Sequence, residues 1–408
     1  MASDSKTFSS ETPPPGSTHR TYRLFISTGE VSGDLQGSLL ITALQRQAER
    51  AGIELEILAL GGDRMAATGA QLLGNTSAIG SLGLLEALPH MWPTFQIQRQ
   101  AKRLLREQAI DLVVLIDYFG PNLSIGKYIR RHLPKMPVVY YIAPQEWVWS
   151  PMAQGKSQIS GIADQILAIF PEEARYYQKQ GMKVTWVGHP LIDRMQSAPS
   201  REQSRAALGI APDQRTIALL PASRSQELKY LLPVIFQAAQ QIQKTLPDVQ
   251  FWVPLSLEVY RQPIEQAIQD YELQATLVSG RSQEVIAAAD LAISKSGTAN
   301  LEIALLNVPQ VVLYRLNGFS YWIAQTFFKF SIPFMSPPNL VEMKPIVPEF
   351  LQEQATPDNI AQAALDLLLN PDRRQKTLEG YQEMRRALGE VGVCDRAAQE
   401  ILTMLPSR

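Results

Sequence analysis

Short, almost wholly apolar runs alternate with helix-length segments along most of the chain, and this alternation constrains the fold more than any other feature. A first series, YRLFIST, LEILAL, LVVLI, PVVYYIA, QILAIF and VTWVG, lies before residue 190. A second series, TIALLP, QFWVP, ATLVS, LAIS and QVVLY, follows an APDQR connector. Strands that are apolar on both faces, with helical crossovers between them, are typical of parallel sheets covered on both sides. The sequence therefore predicts an α/β protein with two Rossmann-like, doubly wound lobes.

A length of 408 residues fits two domains better than one core. We expect a disordered tail at 1–20, an N-terminal lobe at 21–200 and a C-terminal lobe at 201–370. The remaining segment, 371–408, reads as helices that pack back on the N-terminal lobe or onto a partner chain, so a homodimer is one arrangement to expect.

Composition excludes several classes of function. A net charge of −1 argues against nucleic-acid binding on a broad basic face. A single cysteine, Cys394, excludes a disulfide framework or a multi-cysteine metal site and fits a reducing cytoplasm. The tail has no apolar core of a signal peptide, and no apolar run reaches the 18 residues of a membrane span. No D-x-D occurs, so a metal-chelating diphosphate site is not expected.

Ligands of open parallel sheets bind beyond the carboxyl ends of the strands, and polar residues fall there. The first group is GEVSGD, residues 29–34, which matches neither dinucleotide nor Walker patterns. Its glycines would let backbone amides approach a ligand that Glu30 contacts. Alternatively, Ser32 or Asp34 only caps the following helix.

The second group is LVVLIDYFGPN, in which Asp117 follows an apolar strand. A partly desolvated carboxylate at the mouth of a cleft suits a general base. The alternative is a turn-forming Asp bound to its own backbone. His189, in VGHPLID, ends the last strand of the first series, and a lone histidine is more often structural.

Two further groups belong to the second series. In LLPASRSQELKYL, Ser223 and Arg224 precede a helix, so a guanidinium and a helix N-terminus would bind a diphosphate, unless Arg224 is a surface residue and Ser225 a cap. In AISKSGTANLEIALL, Ser296, Gly297 and Thr298 would offer free amides to phosphate oxygens. Glu302 would accept hydrogen bonds from ribose hydroxyls or, alternatively, pair with a neighbouring Lys or Arg. Together these groups indicate a nucleotide-activated donor facing a first-lobe acceptor.

Nine motifs, in order and at fitting spacing from residue 22 to 400, resemble the lipid-A-disaccharide synthase family. They are GEVSGD, GGDRM, IDYFGPN, EWVW, VGHPL, LLPASRSQE, SGTANLE, PPNL at 337–340 and VPEFLQ at 347–352.

The resemblance implies an inverting GT-B glycosyltransferase that needs no metal or cofactor. It would transfer 2,3-diacylglucosamine from its UDP derivative to the 6-hydroxyl of 2,3-diacylglucosamine 1-phosphate (lipid X), releasing UDP in lipid A biosynthesis. The first lobe would hold the acceptor and the second the UDP-sugar. Asp117 matches the general base, Glu30 and Ser32 the essential loop, and Arg224 the phosphate-binding arginine beside Ser223. The positions lining the nucleotide match Ser296, Thr298, Glu302, Asn339 and Gln352.

Departures from the family pattern keep other hypotheses open. Gly120 replaces a second Asp, Ser150 an Arg, and Ala222 a Gly. The first two lie on the acceptor side. The alternatives are another UDP-sugar enzyme, such as an N-acetylglucosaminyl transferase or UDP-GlcNAc 2-epimerase, and a noncatalytic lipid- or nucleotide-binding homologue.

Acyl chains require an apolar surface, and two stretches offer one. Residues 81–106 mix apolar side chains with Arg99, Lys102, Arg103 and Arg106, as a peripheral membrane helix would, and residues 319–335 are aromatic-rich. We expect peripheral contact with the cytoplasmic face of the inner membrane; burial of both stretches in cores is the alternative.

Overall fold

The computed structural model describes residues 20–29, 31–76, 91–148, 157–221, 225–315 and 333–406. Within these ranges the chain forms two parallel sheets, which confirms the predicted pair of doubly wound lobes. The strands are β1 (Arg20–Ser27), β2 (Ile53–Gly61), β3 (Gln71–Asn75), β4 (Leu112–Ile116), β5 (Val138–Tyr141), β6 (Gln165–Ala168), β7 (Lys183–Trp186), β8 (Thr216–Leu220), β9 (Gln250–Leu255), β10 (Ala275–Ser279), β11 (Leu291–Lys295), β12 (Gln310–Tyr314) and β13 (Glu349–Leu351).

Helices connect the strands and form the C-terminal region. They are α1 (Val31–Arg50), α2 (Asp63–Ala67), α3 (Met91–Glu107), α4 (Phe119–His132), α5 (Pro171–Lys179), α6 (Leu191–Met195), α7 (Arg201–Leu208), α8 (Ser225–Thr245), α9 (Arg261–Asp270), α10 (Ser282–Ala288), α11 (Ala299–Leu305), α12 (Pro337–Glu342), α13 (Pro357–Leu369), α14 (Pro371–Leu388) and α15 (Val393–Thr403).

The strand orders place a switch point in each sheet. The first sheet runs β3-β2-β1-β4-β5-β6-β7 and the second β10-β9-β8-β11-β12-β13. In the first sheet the order reverses between β1 and β4, which pair with Leu24 opposite Leu112. In the second it reverses between β8 and β11, with Leu219 opposite Ile293. Ligand sites of such sheets lie beyond the carboxyl ends of these central strands.

Strand β4 shows why its sequence is apolar throughout. Leu112, Val114 and Ile116 point into one apolar cluster, and Val113 and Leu115 into the cluster on the opposite face. Successive side chains of a strand face opposite sides, so a sheet covered by helices on both faces needs an unbroken apolar run.

The last helix returns to the first lobe, where α15 packs against α1. Asp193, at the end of the VGHPLID segment, accepts hydrogen bonds from the backbone N–H groups of Gly392 (2.7 Å), Val393 (3.2 Å) and Cys394 (2.8 Å). A carboxylate at a helix N-terminus satisfies donors that lack intrahelical partners and interacts favourably with the helix dipole. Asp193 thereby attaches the C-terminal helix to the segment that leaves the first sheet.

Helix α3 covers the described part of the stretch expected to face lipid. Its apolar residues Ala101 and Leu105 are buried in the first lobe, and Ile97 and Leu104 pack against them. Burial in a core, the alternative considered from the sequence, therefore holds for this apolar stripe. Phe95 remains 59% exposed. No helix among the described residues combines the length and apolar character that crossing a membrane requires. Residues 81–90 and 319–332 lie outside the described ranges.

Candidate active site

A cleft of about 300 Å³ opens between the two lobes, at the carboxyl ends of their central strands. Residues from both lobes line it, as the switch points predict. The first-lobe wall is formed by Ser32, Gly33, Asp117, Ile142, Phe170 and His189. The second-lobe wall is formed by Ser296, Gly297, Thr298, Leu301, Met335 and Leu340.

Asp117 stands on unusual backbone. Its φ is 46° and that of Tyr118 is 48°, both in the left-handed region that residues other than glycine rarely adopt. Ile142, whose carbonyl accepts a 3.1 Å hydrogen bond from the Asp117 N–H, also has a positive φ of 57°. Residues held in such conformations cluster at functional sites, where the surrounding structure must enforce them. Asp117 directly follows the end of β4 and lines the cleft.

Asn122, fully buried at the first turn of α4, ties the ends of two strands together. Its side-chain amide donates to the carbonyls of Asp117 (2.8 Å) and Ile116 (3.0 Å), and its carbonyl accepts from the Ser27 hydroxyl (2.7 Å). The hydroxyl of Tyr140 also donates to the Asp117 carbonyl, at 2.6 Å. These two residues hold the main chain of Asp117, and neither was singled out from the sequence. Asn122 is the last residue of the IDYFGPN motif, and membership of this motif is the one sequence feature from which its role could have been inferred.

The glycine loop fits closely against its neighbours. A Cβ added at Gly29 would lie 2.0 Å from the ring of Tyr118, and one at Gly33 would lie 1.9 Å from the Thr28 hydroxyl oxygen. Glycine is required at both positions because no larger residue leaves room for these contacts. Ser32, one position before Gly33, lines the cleft at the start of α1.

The carboxylate of Asp34 does not cap α1, as one interpretation of the sequence had it. Its oxygens accept hydrogen bonds from the N–H groups of Gly62 (2.8 Å), Met65 (3.1 Å) and Arg64 (3.2 Å) at the start of α2. Asp34 therefore binds α2 to α1, and its part in the loop is structural. A neighbour on α1, Gln36, is 7% exposed and lines the cleft. Its side-chain oxygen has no hydrogen-bond partner among the described residues.

His189 contributes an uncharged donor to the first wall. Its Nδ1 accepts a 3.1 Å hydrogen bond from the Leu191 N–H, so the proton of the neutral ring resides on Nε2. Burial lowers the pKa of His189 to about 4, because a charged imidazolium loses its hydration there. The ring also packs against Phe170, with centroids 5.4 Å apart. At neutral pH this residue is a neutral hydrogen-bond donor and not a base.

Glu173 lies behind the first wall and was not identified from the sequence. The fully buried carboxylate accepts hydrogen bonds from the backbone N–H groups of Ala143 (3.1 Å), Ile169 (2.8 Å) and Phe170 (3.3 Å). Burial raises the pKa of Glu173 to about 8. The three backbone donors favour the anion and lower the pKa, but their effect is smaller than that of burial. Glu173 is the third residue of α5, which begins with Pro171. A proline followed two residues later by a glutamate is typical of a helix start, and this pattern could have identified Glu173. Glu173 joins the ends of β5 and β6.

On the second wall, the Ser296 and Gly297 amides are not free, contrary to expectation. The N–H of Ser296 donates to the Leu313 carbonyl (2.9 Å) and that of Gly297 to the Asn300 side chain (2.7 Å). The Ser296 hydroxyl donates to the Met335 carbonyl at 2.6 Å. The side chain of Asn300, in the first turn of α11, thus takes up the Gly297 amide that a ligand was expected to meet.

Glu302 forms an ion pair across the lobes. Its Oε1 lies 2.6 Å from Nη1 of Arg194 on α6, so the alternative pairing with a basic residue is what the structure shows. Burial raises the pKa of Glu302, and the Arg194 guanidinium opposes that rise. Arg194 was missed because nothing in the sequence indicates that α6 faces α11.

Asn339 and Gln352 differ in what they can offer a ligand. Asn339 is fully buried; its amide donates to the Val347 carbonyl and Glu349, and its carbonyl accepts from the Val347 N–H. It therefore fixes the loop behind the wall and does not face the cleft, contrary to expectation. Gln352 is 6% exposed, has a positive φ of 50°, and its Nε2 has no partner among the described residues.

Three predicted site residues, Glu30, Ser223 and Arg224, lie outside the described ranges. Helix α8 begins directly after Arg224 and belongs to the second lobe. Within the described ranges no group of three His, Cys, Asp or Glu side chains could hold a metal ion.

Comparison with known proteins identifies relatives along nearly the whole chain. The family model described as lipid-A-disaccharide synthetase matches residues 24–404. A lipid-A-disaccharide synthase of Gloeothece citriformis (strain PCC 7424) is 62% identical over 380 residues, which cover 93% of this chain and 99% of the relative. One of Synechocystis sp. (strain ATCC 27184 / PCC 6803 / Kazusa) is 58% identical over 382 residues, 93% of this chain and 97% of the relative.

Solved structures with low identity share the fold. A Staphylococcus aureus MnaA–UDP co-structure has a TM-score of 0.65 and 14% identity, covering 95% of this chain and 98% of the other. UDP-GlcNAc 2-epimerase from Neisseria meningitidis bound to UDP-GlcNAc has a TM-score of 0.64 and 14% identity, covering 94% and 100%. At this identity the likeness concerns the arrangement of the two lobes alone.

Proposed function

The chain belongs to the lipid-A-disaccharide synthase family and is a glycosyltransferase of lipid A biosynthesis, and from this premise we propose its substrates and the roles of its residues. The donor is UDP-2,3-diacylglucosamine, and the acceptor is 2,3-diacylglucosamine 1-phosphate. The observation that supports this assignment best is the interlobe cleft, which Asp117 lines on one wall and the Ser296–Thr298 turn on the other.

Asp117 acts as general base in the proposed reaction. Its carboxylate takes the proton of the acceptor 6-hydroxyl, and the hydroxyl oxygen attacks C1 of the donor sugar from the face opposite the phosphate. The new C1–O bond forms as the bond from C1 to the β-phosphate oxygen breaks, and its electron pair leaves with UDP. Inversion at C1 gives a β-1,6 disaccharide, and Asp117 ends protonated. A carboxylate fixed at a strand end needs little rearrangement to reach the acceptor.

Charge that develops on UDP is stabilised from the second lobe. Arg224 would bind the diphosphate next to Ser223, where α8 directs its N-terminal dipole. Because no metal is needed in this scheme, the guanidinium and the helix dipole supply the stabilisation.

The remaining second-lobe residues would hold the nucleoside and the donor sugar. Ser296 and Thr298 line the cleft, and Gly297 between them leaves room for a ligand because, among the described residues, only the Lys295 Nζ, at 3.8 Å, would approach an added Cβ. Glu302 would bind the ribose hydroxyls while Arg194 keeps its carboxylate ionised. The buried, unpartnered Nε2 of Gln352 would donate to a carbonyl of the base.

On the first lobe, Glu30 and Ser32 would bind the acceptor sugar next to Asp117. The close fit of Gly29 under the Tyr118 ring supports this arrangement, because it holds the loop against the end of β4.

Contact with the cytoplasmic face of the inner membrane is a further part of the proposal, since both substrates carry acyl chains. On α3 the exposed Phe95 and Arg99 could meet a lipid surface. Other cations of this helix are engaged within the protein: Lys102 donates to the Ser124 hydroxyl (2.8 Å), and Arg103 pairs with Glu107 (2.9 Å). Sedimentation with anionic vesicles, comparing wild type with Phe95→Ser and Arg99→Gln, tests this contact; equal sedimentation of all three proteins would argue against α3 as the contact surface.

The proposed reaction is tested by measuring UDP release from the diacylated donor, with and without the lipid acceptor, and by determining the masses of the products by mass spectrometry. We expect release that depends on the acceptor and a product with the mass of the tetraacylated disaccharide phosphate. Turnover of the UDP-sugar without acceptor would indicate an epimerase or hydrolase instead. Tight UDP binding with no turnover would indicate a binding protein.

A further inference from the structure

The main-chain carbonyl of Asp117 is bound more firmly than an ordinary strand end requires. It accepts two hydrogen bonds, from the Tyr140 hydroxyl at 2.6 Å and from the Asn122 side-chain amide at 2.8 Å. Both donors are fully buried. Left-handed backbone at Asp117 and Tyr118 persists only if its surroundings enforce it, and these bonds act at the peptide between the two residues.

Tyr140 is suited to this task because its hydroxyl can only donate there. Burial, and secondarily the negative charge of Asp117, hold the pKa of Tyr140 well above its usual value. The hydroxyl therefore stays protonated throughout the pH range in which the enzyme would work. Loss of the hydroxyl would leave the ring in place and release one of the two bonds to the carbonyl.

The next residue of the same strand, Tyr141, provides an internal comparison. It is also fully buried, but its side chain points to the opposite face of the sheet. Its hydroxyl, beside the thiol of Cys394, has no nitrogen or oxygen partner among the described residues. The two tyrosines thus share residue type, strand and burial, and differ in whether the hydroxyl holds the backbone of Asp117.

We propose that Tyr140 is a positioning residue for the transfer reaction: its hydroxyl, together with Asn122, fixes the Asp117 carbonyl and so directs the carboxylate into the cleft. This inference rests on the proposed role of Asp117 as general base. Without the hydroxyl the peptide after Asp117 can rotate towards commoner backbone angles, which would move the carboxylate away from the acceptor hydroxyl.

The test compares Tyr140→Phe with Tyr141→Phe in steady-state UDP release from donor and acceptor. Rates are normalised to the fraction that binds UDP in calorimetry, so partial unfolding does not count as lost catalysis. We expect Tyr140→Phe to lower kcat about 10-fold, below the roughly 100-fold cost of misplacing a reacting group by 1 Å. Both KM values should change by less than about twofold, since the contacts to the ligands remain. Tyr141→Phe should retain the kcat of wild type.

Other outcomes overturn the inference. Equal normalised kcat values for the two variants, or a raised KM with unchanged kcat, would each show that the hydroxyl serves only packing or stability, whether or not Tyr140→Phe also loses part of its UDP-binding fraction. Asp117→Ala, assayed in parallel, separates this failure from that of the underlying mechanism. If Asp117→Ala keeps full turnover, the general base is wrong; if it loses turnover while Tyr140→Phe does not, only the positioning role is wrong.

Discussion

The two walls of the cleft use their hydrogen bonds in different ways. On the first wall, the bonds hold the backbone from behind: Asn122 and Tyr140 bind the main-chain carbonyl of Asp117, a residue that lines the cleft. On the second wall, two groups expected to meet the ligand are bound within the protein: the Ser296 hydroxyl donates to the Met335 carbonyl and the Gly297 amide to the Asn300 side chain. The first wall is therefore preorganised, whereas a ligand bound through these two groups of the second wall would have to exchange existing bonds.

This difference suits the chemistry proposed for each side. A general base must be aimed before the reaction, because misplacement of the reacting group costs rate directly. A nucleotide site can exchange protein–protein hydrogen bonds for protein–ligand bonds at little net cost, provided that no buried group remains unpaired. The comparison yields four predictions, which perturb first one wall and then the other.

The largest effect should follow removal of the carboxylate from the first wall. Asp117→Ala should lower kcat by about two to four orders of magnitude, as loss of a general base typically does. UDP affinity should change little, because the proposed nucleotide site lies on the second lobe. Asp248→Ala is the control, because it removes an exposed carboxylate that forms only a loose surface ion pair with Arg215, at 3.8 Å. It should retain the kcat of wild type. Turnover near that of wild type in Asp117→Ala would reject the proposed base.

The second prediction concerns pH and the neutral donor of the first wall. The pKa of His189 is about 4 in the folded chain and ordinarily near 6.5, so below pH 6.5 the unfolded chain binds a proton that the folded chain does not. The contribution of His189 to stability is therefore present above pH 6.5 and is lost as pH falls towards 4, by up to about 3 kcal/mol.

His189→Asn isolates this contribution. The side-chain oxygen of the introduced asparagine can still accept a hydrogen bond from the Leu191 N–H, but asparagine does not titrate. The thermal midpoints of wild type and variant, measured from pH 4 to 8, should differ in slope only below about pH 6.5, where wild type falls faster. Parallel curves over that range would show that the imidazole is not excluded from protonation.

Much of this architecture could be predicted from the sequence, for physical reasons that particular elements show. The LVVLI run is buried on both faces, so its composition alone indicated a central parallel strand and placed Asp117 at a ligand edge. The order and spacing of the motifs likewise indicated the family. Strand composition and motif spacing can both be recognised from short stretches of the sequence, without knowledge of contacts between distant segments.

Contacts between distant segments could not be predicted in this way. Tyr140 and Asp117 meet because β4 and β5 pair in register, and Arg194 meets Glu302 because α6 and α11 lie on facing lobes. Asn339 resembled a ligand residue by its motif, yet its amide is used within the protein. A motif shows which residue types occur together, but the direction of each side chain depends on the packing of the whole lobe.

The third prediction makes the same substitution on both walls. An added Cβ at Gly29 would collide with the Tyr118 ring at 2.0 Å, whereas at Gly297 its nearest neighbour in the described part of the chain would be the Lys295 Nζ at 3.8 Å. Gly29→Ala should destabilise the chain by about 1–3 kcal/mol, as overpacking usually does. Gly297→Ala should stay within about 0.5 kcal/mol. Thermal midpoints measure both, and equal destabilisation would contradict the contrast between a closely packed first wall and an open second wall.

The smallest effect is expected at the ion pair between the lobes. Arg194→Gln removes the guanidinium that opposes the rise in the Glu302 pKa, so this carboxyl should protonate at higher pH and bind ribose less well. We expect the donor KM to rise about 3- to 10-fold and kcat to stay nearly unchanged, because the lost contact binds ground state and transition state equally. The rise in KM should be largest below neutral pH, where more of the Glu302 carboxyl is protonated.

Arg201→Gln is the matched control for this variant, since Arg201 forms an equally short pair with Asp290 (2.6 Å) that does not line the cleft. It should affect stability without changing the donor KM. If Arg194→Gln instead lowers the donor KM, the ion pair competes with the nucleotide for Glu302, and the second wall must then release this residue before it can bind.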